Sequence, residues 1–382
     1  MEPKPIPFKC KVSDDAIADL KARLSLTRFP DQAPEAEWEY GTDLAFMRRV
    51  VEYWQNCFDW RAAEARLNAL PQFTVQLDGV PIHYIHVMGK GPDPLPVLLS
   101  HGWPGSVLEF LDVIPRLTDP AHFGGDPSDA VTIIAPSLPG YAFSFQPGQK
   151  RFGIEEIADV FASLMTDVLG FNRFVAQGGD WGSLVTARLA HICPERLVGI
   201  HLNMLALPPD IRPSDPPTSE ETNYIDEMRH LAGEEMGYHL IQGTKPQTVA
   251  YGLTDSPAGL AAWIIEKLRS WTDCDGELES LLSMDRILEL VSLYWFTGCI
   301  GASFHPYYGR RHRPYPIPEP VTVPTGVANY PKEIMHPPRS MTEHLYSNIR
   351  HWTDMDRGGH FAALEQPDLF TKDLQDFLRK LR

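Results

Sequence analysis

The sequence predicts an α/β protein: a mostly parallel central sheet with helices on both faces, a helical cap inserted into it, and an N-terminal segment wrapped around it. Three observations carry this prediction. Apolar runs of strand length alternate with helix-spaced apolar residues from residue 96 to 203, the pattern of a parallel sheet covered on both faces. At one junction, GGDWGS (178–183), an apolar segment precedes the glycines, and Leu184, Val185, Ala187, Leu189 and Ala190 follow at helical spacing, so it reads as strand, sharp turn, helix. The alternation stops at residue 206. A proline-rich link, ALPPDIRPSDPPTSE, leads there into a long helical stretch, and a second link, RPYPIPEPV, closes it before sheet character resumes at 321.

Composition sets the bounds. At 382 residues the chain suits one large domain with an insertion, or two domains. The 43% hydrophobic and 22% charged content is that of an ordinary globular protein, and the net charge of -16, with no basic run, makes nucleic acid and anionic lipid surfaces poor partners. Five scattered cysteines, odd in number and with no C-x-x-C, point to reduced thiols in a cytoplasmic setting. The N-terminus lacks the apolar core of a signal peptide and no stretch approaches 18 apolar residues, so a protein without a membrane anchor is expected.

In chain order, residues 1–75 read as a helical N-terminal segment. Ser13 is placed to cap a helix with Ile17, Leu20 and Leu24, and residues 44–58 read as a second helix with Phe46, Val50, Val51 and Trp54 on its faces. Residues 76–205 form the first part of the sheet core. FTVQLDG and PIHYIHV flank Asp78 and Gly79, a hairpin signal. His83 and His86 are three apart on a strand, so they point to opposite faces and cannot share a metal ion. A buried strand at 96–100 runs into the loop HGWPGS, a second parallel strand is expected over 131–144, and Ile157, Phe161, Leu164, Met165 and Val168 mark a helix before the elbow strand. LVGIHLN (197–203) supplies a further strand. Residues 206–320 form the cap, with helices over 223–232, 258–270 and 284–297. Residues 321–382 return to the core and end in a helix near 366–381.

The residue at the apex of the turn is Asp180. Its carboxylate is ionised at neutral pH and needs no base to act as a nucleophile, and it suits attack on a saturated carbon to give an alkyl ester. The competing reading is a helix N-cap, where Asp is favoured. Cleaving the ester needs a base for water, and His360, in the glycine-flanked loop RGGHFAALEQP before the last helix, can reach the carboxyl ends of the strands. A packing histidine is the default for any one of the 14. The base needs an orienting acid; Glu333 in PKEIMHP, Asp210, Asp354 and Asp356 are candidates.

The turn GGDWGS resembles the nucleophile elbow of α/β-hydrolases with Asp in place of Ser, and the chain order nucleophile, acid, His is theirs. The whole sequence, from about Phe8 onward, resembles epoxide hydrolases of the microsomal type, including the juvenile hormone and bacterial branches. The resemblance lies in HGWPGS, LPGYAFS, GGDWGS, MGYHLIQGTKPQTVAYGLTDSPAGLAAWIIEKLRSWTD, LYWFTG, VPTGVANYPKEIMH and RGGHFAALEQP. It implies Asp180 as nucleophile, Glu333 and His360 as the charge pair, and Tyr238 and Tyr294 as donors to the epoxide oxygen. It also implies an oxyanion hole from the backbone N–H groups of Trp103 and Trp181, with a cis peptide between Trp103 and Pro104. The substrate would be a small hydrophobic epoxide and the product a vicinal diol, with no metal or organic cofactor. Membrane-bound members carry an N-terminal anchor, whereas here the family segment begins almost at once, which supports the expectation of a soluble protein. The N-terminal segment could support a homodimer. The rival readings are a haloalkane or haloacid dehalogenase, which would need halide-binding N–H groups in place of the tyrosine pair, and a catalytically silent binding protein on the same scaffold.

Overall fold

The computed structural model describes residues 4–208, 210–314 and 319–382; residue 209 of the first proline-rich link and residues 315–318 of the second lie outside the described residues. The described strands are β1 (Ile6–Phe8), β2 (Gln72–Leu77), β3 (Val80–Val87), β4 (Leu95–Ser100), β5 (Val131–Pro136), β6 (Phe174–Gly178), β7 (Leu197–Leu202), β8 (Thr325–Asn329) and β9 (Ile349–Asp354). They form one sheet in the order β1-β2-β3-β5-β4-β6-β7-β8-β9. Pairing is antiparallel from β1 to β5 and parallel from β5 to β9. Every residue of β5 and β6 is buried, as expected for strands covered on both faces. The hairpin between β2 and β3 turns on Asp78 and Gly79, both at positive φ.

The strand expected over 131–144 is shorter. It ends at Pro136, because Gly140 and Ala142 take positive φ and a tight turn at Ala142–Ser144 follows. The N-terminal segment is also not wholly helical, since β1 pairs with β2 at the sheet edge. Two of its helices are close to the reading, Asp14–Ser25, capped by Ser13 accepting from the Ala16 N–H, and Leu44–Asn56, capped by Asp43 and two residues shorter than expected, while a third, Trp60–Asn68, was not anticipated. These helices pack against the cap rather than the sheet. Thr42 donates to the Ala262 carbonyl at 2.8 Å, Tyr53 to Asp285 at 3.0 Å, and Arg66 pairs with Glu289 at 2.6 Å.

The cap contains Ser219–His230, Gly237–Thr244, Pro246–Asp255, Pro257–Trp271, Met284–Thr297 and His305–His312. Met284–Thr297 starts at its Ser283 cap and stops at Gly298 in the left-handed region, as the spacing predicts. Gly237–Thr244 and His305–His312 are short and lie outside the helices expected from the sequence. The last helix, Pro367–Arg379, is pinned beneath the sheet by Asp373, which accepts from His201 of β7 at 2.9 Å and His351 of β9 at 2.8 Å. His83 of β3 is buried between Ser137 and Gln72, and burial pushes its imidazole down to about 3. Among the described residues no single helix is long and apolar enough to cross a membrane.

Candidate active site

The site lies outside the carboxyl ends of the parallel strands, where loops from separate strands converge. β6 runs into an elbow whose apex, Asp180, has φ 50° and ψ -129°. A non-glycine residue there costs on the order of 1–3 kcal/mol, so the surroundings must hold it. They do so by close approach. A Cβ on Gly178 would stand 2.1 Å from the Gly182 carbonyl oxygen, and one on Gly182 would stand 2.0 Å from the Ser100 carbonyl oxygen of β4. Asp180 occupies the N-cap place of helix Trp181–Ile192, yet its side chain makes no capping bond. It turns instead to the loop after β4, where the Trp103 N–H donates to Oδ1 at 2.7 Å. The N-cap reading is thereby excluded. Gly102 lets this loop come so near, since a Cβ there would meet Asp180 Oδ1 at 2.1 Å. The Trp103–Pro104 peptide is cis. Trp181 follows Asp180 directly as the first residue of its helix, so the positive end of the helix dipole faces the carboxylate.

The second oxygen of Asp180 faces His360. Nε2 lies 3.4 Å from Asp180 Oδ2, while Nδ1 lies 2.5 Å from Glu333 Oε1. Glu333 is buried in the loop after β8 and also accepts from the Ile334 N–H at 2.7 Å. An acceptor at Nδ1 places that proton on Nδ1 and turns Nε2 to the nucleophile. Asp210, Asp354 and Asp356 are exposed, and Asp354 is engaged with Asn329 and Trp352, so Glu333 is the acid beside the histidine. Burial acts to lower the His360 pKa, but the charges of Glu333 and Asp180 outweigh it and hold the imidazole well above its ordinary value.

The backbone around His360 is fixed by a group the sequence did not mark. Glu365 accepts from the N–H groups of Gly359 at 3.0 Å, Phe361 at 2.9 Å and Asp273 at 2.8 Å, and the His360 N–H donates to the Trp271 carbonyl at 2.8 Å. Burial pushes the Glu365 carboxyl up to about 7.

The two tyrosines expected together are not together. Tyr238, on Gly237–Thr244, stacks on the Trp103 indole at 5.3 Å between ring centres and lines a cavity of about 180 Å³ that opens onto Asp180. Tyr294 does not reach that cavity. It projects from Met284–Thr297 onto the HGWPGS loop, and its hydroxyl donates to the Gly105 carbonyl at 2.8 Å in a fully buried contact. Tyr307, on His305–His312, stands in its place. It meets Trp181 edge-on at 4.6 Å and Tyr238 at 5.8 Å, and its buried hydroxyl has no partner of full hydrogen-bond geometry among the described residues. Burial, then the neighbouring charges, push both phenols upward, so both remain neutral donors at ordinary pH. The rest of the cavity wall is mainly apolar, with Met204, Met228, Met236 and Met335 prominent.

Comparison with known proteins identifies the family. Residues 5–110 match the family model described as epoxide hydrolase N terminus, and residues 96–234 match that of the alpha/beta hydrolase fold. A Stigmatella aurantiaca protein provisionally named as an epoxide hydrolase is 45% identical over 98% of this chain and 85% of its own length. Epoxide hydrolase 1 of Sus scrofa is 35% identical over 97% of this chain and 88% of its own. The chain belongs to the epoxide hydrolase family. The crystal structure of juvenile hormone epoxide hydrolase from the silkworm Bombyx mori superposes with a TM-score of 0.91 at 33% identity, covering 100% of this chain and 95% of that one. The likeness therefore embraces the N-terminal segment and the cap as well as the sheet. In this epoxide hydrolase Asp180, His360, Glu333, Tyr238 and the Trp103 and Trp181 backbones gather at one place, and Tyr307 joins them where Tyr294 was expected. A sequence signal for Tyr307 existed: the helix stop at Gly298 followed by Pro306 at a helix start marks a separate helix that carries it.

Proposed function

We propose that this epoxide hydrolase converts a small hydrophobic epoxide to its vicinal diol through an ester on Asp180. The observation that carries this reading is the division of the Asp180 carboxylate. Oδ1 is held by the Trp103 N–H and Oδ2 faces His360, while Asp180 also lines a cavity walled by Tyr238 and Tyr307.

In the first step an Asp180 oxygen bonds to an epoxide carbon, the C–O bond of the ring breaks, and a phenol of the Tyr238–Tyr307 pair gives its proton to the forming alkoxide. Forming the ester removes the Asp180 charge, one of the two that support the imidazolium. The His360 pKa falls, its proton restores the phenol through solvent, and a neutral base is left where one is now needed. In the second step water bonds to the Asp180 carbonyl carbon while its proton passes to His360 Nε2. The oxyanion forms on Oδ1, against the Trp103 and Trp181 N–H groups, where loss of one such donor typically costs about 3–4 kcal/mol. Collapse expels the diol oxygen, which takes the proton of the new carboxyl group, and Asp180 returns as a carboxylate.

Water thus enters the protein before the product. Under single turnover in ¹⁸O-water with excess enzyme, the label should appear in the Asp180 peptide and not in the diol. Label in the first-turnover diol would overturn the ester route, and no diol from any of a styrene-type, terminal aliphatic or trans-disubstituted epoxide would overturn the assignment of substrate.

A further inference from the structure

On the sheet side of Asp180 there is a second, much smaller cavity. It measures about 20 Å³ and is walled by the ends of β4 and β6 and by the His360 loop. A single water needs roughly 10–15 Å³ counted in this way, so one fits. This cavity and the tyrosine-walled one share Asp180 and no other lining residue. The nucleophile therefore forms the partition between them, with His360 on the small side.

The polar atoms of the small cavity are out of balance in a way that points to an occupant. Ser100 Oγ and Gln177 Oε1 are both buried and have no hydrogen-bond partner among the described residues. Such groups are rare in native proteins and are ordinarily met by ordered water. Gln177 is not free to turn away, because its Nε2 donates to Asn203 Oδ1 at 2.8 Å, and Asn203 lines the same cavity. A water here would have an acceptor in Gln177 Oε1, a hydroxyl partner in Ser100, and His360 Nε2 as the acceptor of the proton it must lose. The other carboxyl group of the wall, Glu109, is pushed by burial up to about 8, which keeps a second negative charge away from the attacking oxygen at neutral pH.

We infer that this cavity holds the water that cleaves the ester, and that Gln177 and Ser100 position it against the Asp180 carbonyl carbon on the side away from the epoxide. The inference rests on the ester route proposed above. Substrate and water then reach the same carboxyl group from separate compartments, and the diol need not leave before water arrives. The bond formed is water oxygen to Asp180 carbon, the proton goes to His360, and the electron pair of the carbonyl goes to the oxygen held by Trp103.

The test separates the two half-reactions in rapid-quench mass spectrometry of the full-length enzyme with an epoxide that it turns over. In Gln177→Met, which keeps the side-chain length but removes the acceptor, ester formation should change less than about twofold while ester breakdown slows tenfold or more. The ester should accumulate, and kcat and KM should fall together. Gln177→Asn should recover part of the loss. Ser100→Ala, which removes one oxygen and adds no volume, should slow breakdown severalfold and carries the test if Gln177→Met does not fold. Breakdown at the wild-type rate in both variants, or equal slowing of both steps, overturns the water site. A wild-type enzyme that makes diol without any ester overturns the ester route itself, and the water site with it.

Discussion

The two halves of the site are built by different means. On the sheet side, Asp180, His360, Glu333 and the Trp103 N–H all stand in loops at the ends of parallel strands, and they are aimed by hydrogen bonds to one another and to neighbouring backbone. On the cap side, Tyr238 and Tyr307 stand on short helices and are aimed by packing against one another and against Trp103 and Trp181. The sheet side carries charge and the cap side carries neutral donors. A loop that must place charge to a fraction of an ångström is held by hydrogen bonds and by close glycine contacts, and the glycines leave a mark in the sequence. A helix that must present a hydroxyl to a cavity is held by its neighbours' shapes, which leave almost none.

The largest effect is expected on the sheet side. His360→Gln should reduce steady-state diol formation by about 10³-fold or more, in the upper part of the range for loss of a general base. It should spare the first step, because Asp180 is already charged, so intact-mass analysis should show enzyme heavier by one substrate. Asp180→Asn should show neither adduct nor diol. Adduct on any other residue would break the assignment of these two roles.

Next come the tyrosines, where the comparison can be broken outright. Tyr307→Phe and Tyr238→Phe should each slow ester formation by about tenfold to a hundredfold, since one charge-assisted donor is worth roughly 1.5–3 kcal/mol, and the double variant should lose far more. Tyr294→Phe should leave ester formation within about twofold. Its cost should appear in stability instead, at about 1–3 kcal/mol, because it leaves the buried Gly105 carbonyl unpaired. Stopped-flow fluorescence on the three variants decides between Tyr294 and Tyr307 directly.

A smaller effect should follow from Glu365, which ties the base loop without touching substrate. Glu365→Ala leaves three backbone N–H groups without their acceptor, and two of them flank His360. Ester breakdown should slow by about tenfold through misplacement of the imidazole, as sub-ångström errors in catalytic geometry do, while ester formation is nearly unchanged. Glu365→Gln, which keeps one carbonyl oxygen, should fall between. Equal loss in both half-reactions would mean that Glu365 supports the fold rather than the base.

These expectations follow the line between what could and could not be read from the sequence. Gly178 and Gly182 were legible because a sharp strand-to-helix turn excludes Cβ atoms, and the structure shows the clash each would make. The helices Leu44–Asn56 and Met284–Thr297 were legible from the run of apolar residues, and their caps were supplied by the structure. The membership of His360 and Glu333 in one pair came from the resemblance, since nothing in spacing alone chose Glu333 over Asp354. Tyr294 is where the expectation and the geometry part. It sits in the motif LYWFTG and on a regular helix, yet the face it occupies points at the Gly105 carbonyl, and helix phase against a loop from another part of the chain is not local information. Glu365, Gln177 and Ser100 were invisible for the same reason, because their meaning lies in groups that only the fold brings near.

The smallest predicted effect concerns the seam between the two halves. His336, in the loop just after Glu333, reaches Glu227 on the cap helix Ser219–His230. Its Nδ1 bonds to Glu227 Oε1, its backbone N–H donates to Oε2 at 3.0 Å, and its Nε2 faces the Tyr330 carbonyl at 2.8 Å. With acceptors at both ring nitrogens the charged imidazolium is favoured. Burial opposes this, but Glu227 outweighs burial and raises the His336 pKa. A raised folded-state pKa means that the stabilisation is fully present below the unfolded value, about 6.5, and is lost as pH rises through the folded value. Both side chains are roughly a third exposed, so screening limits the gain to about 1 kcal/mol. Glu227→Gln should therefore melt about one to three degrees below wild type at pH 6, with the two curves converging as pH rises toward 9. Ester formation and breakdown at the pH optimum should be little changed. A gap that widens with pH would show that the pair is held as neutral histidine, and that the cap is fastened to the core by some other contact.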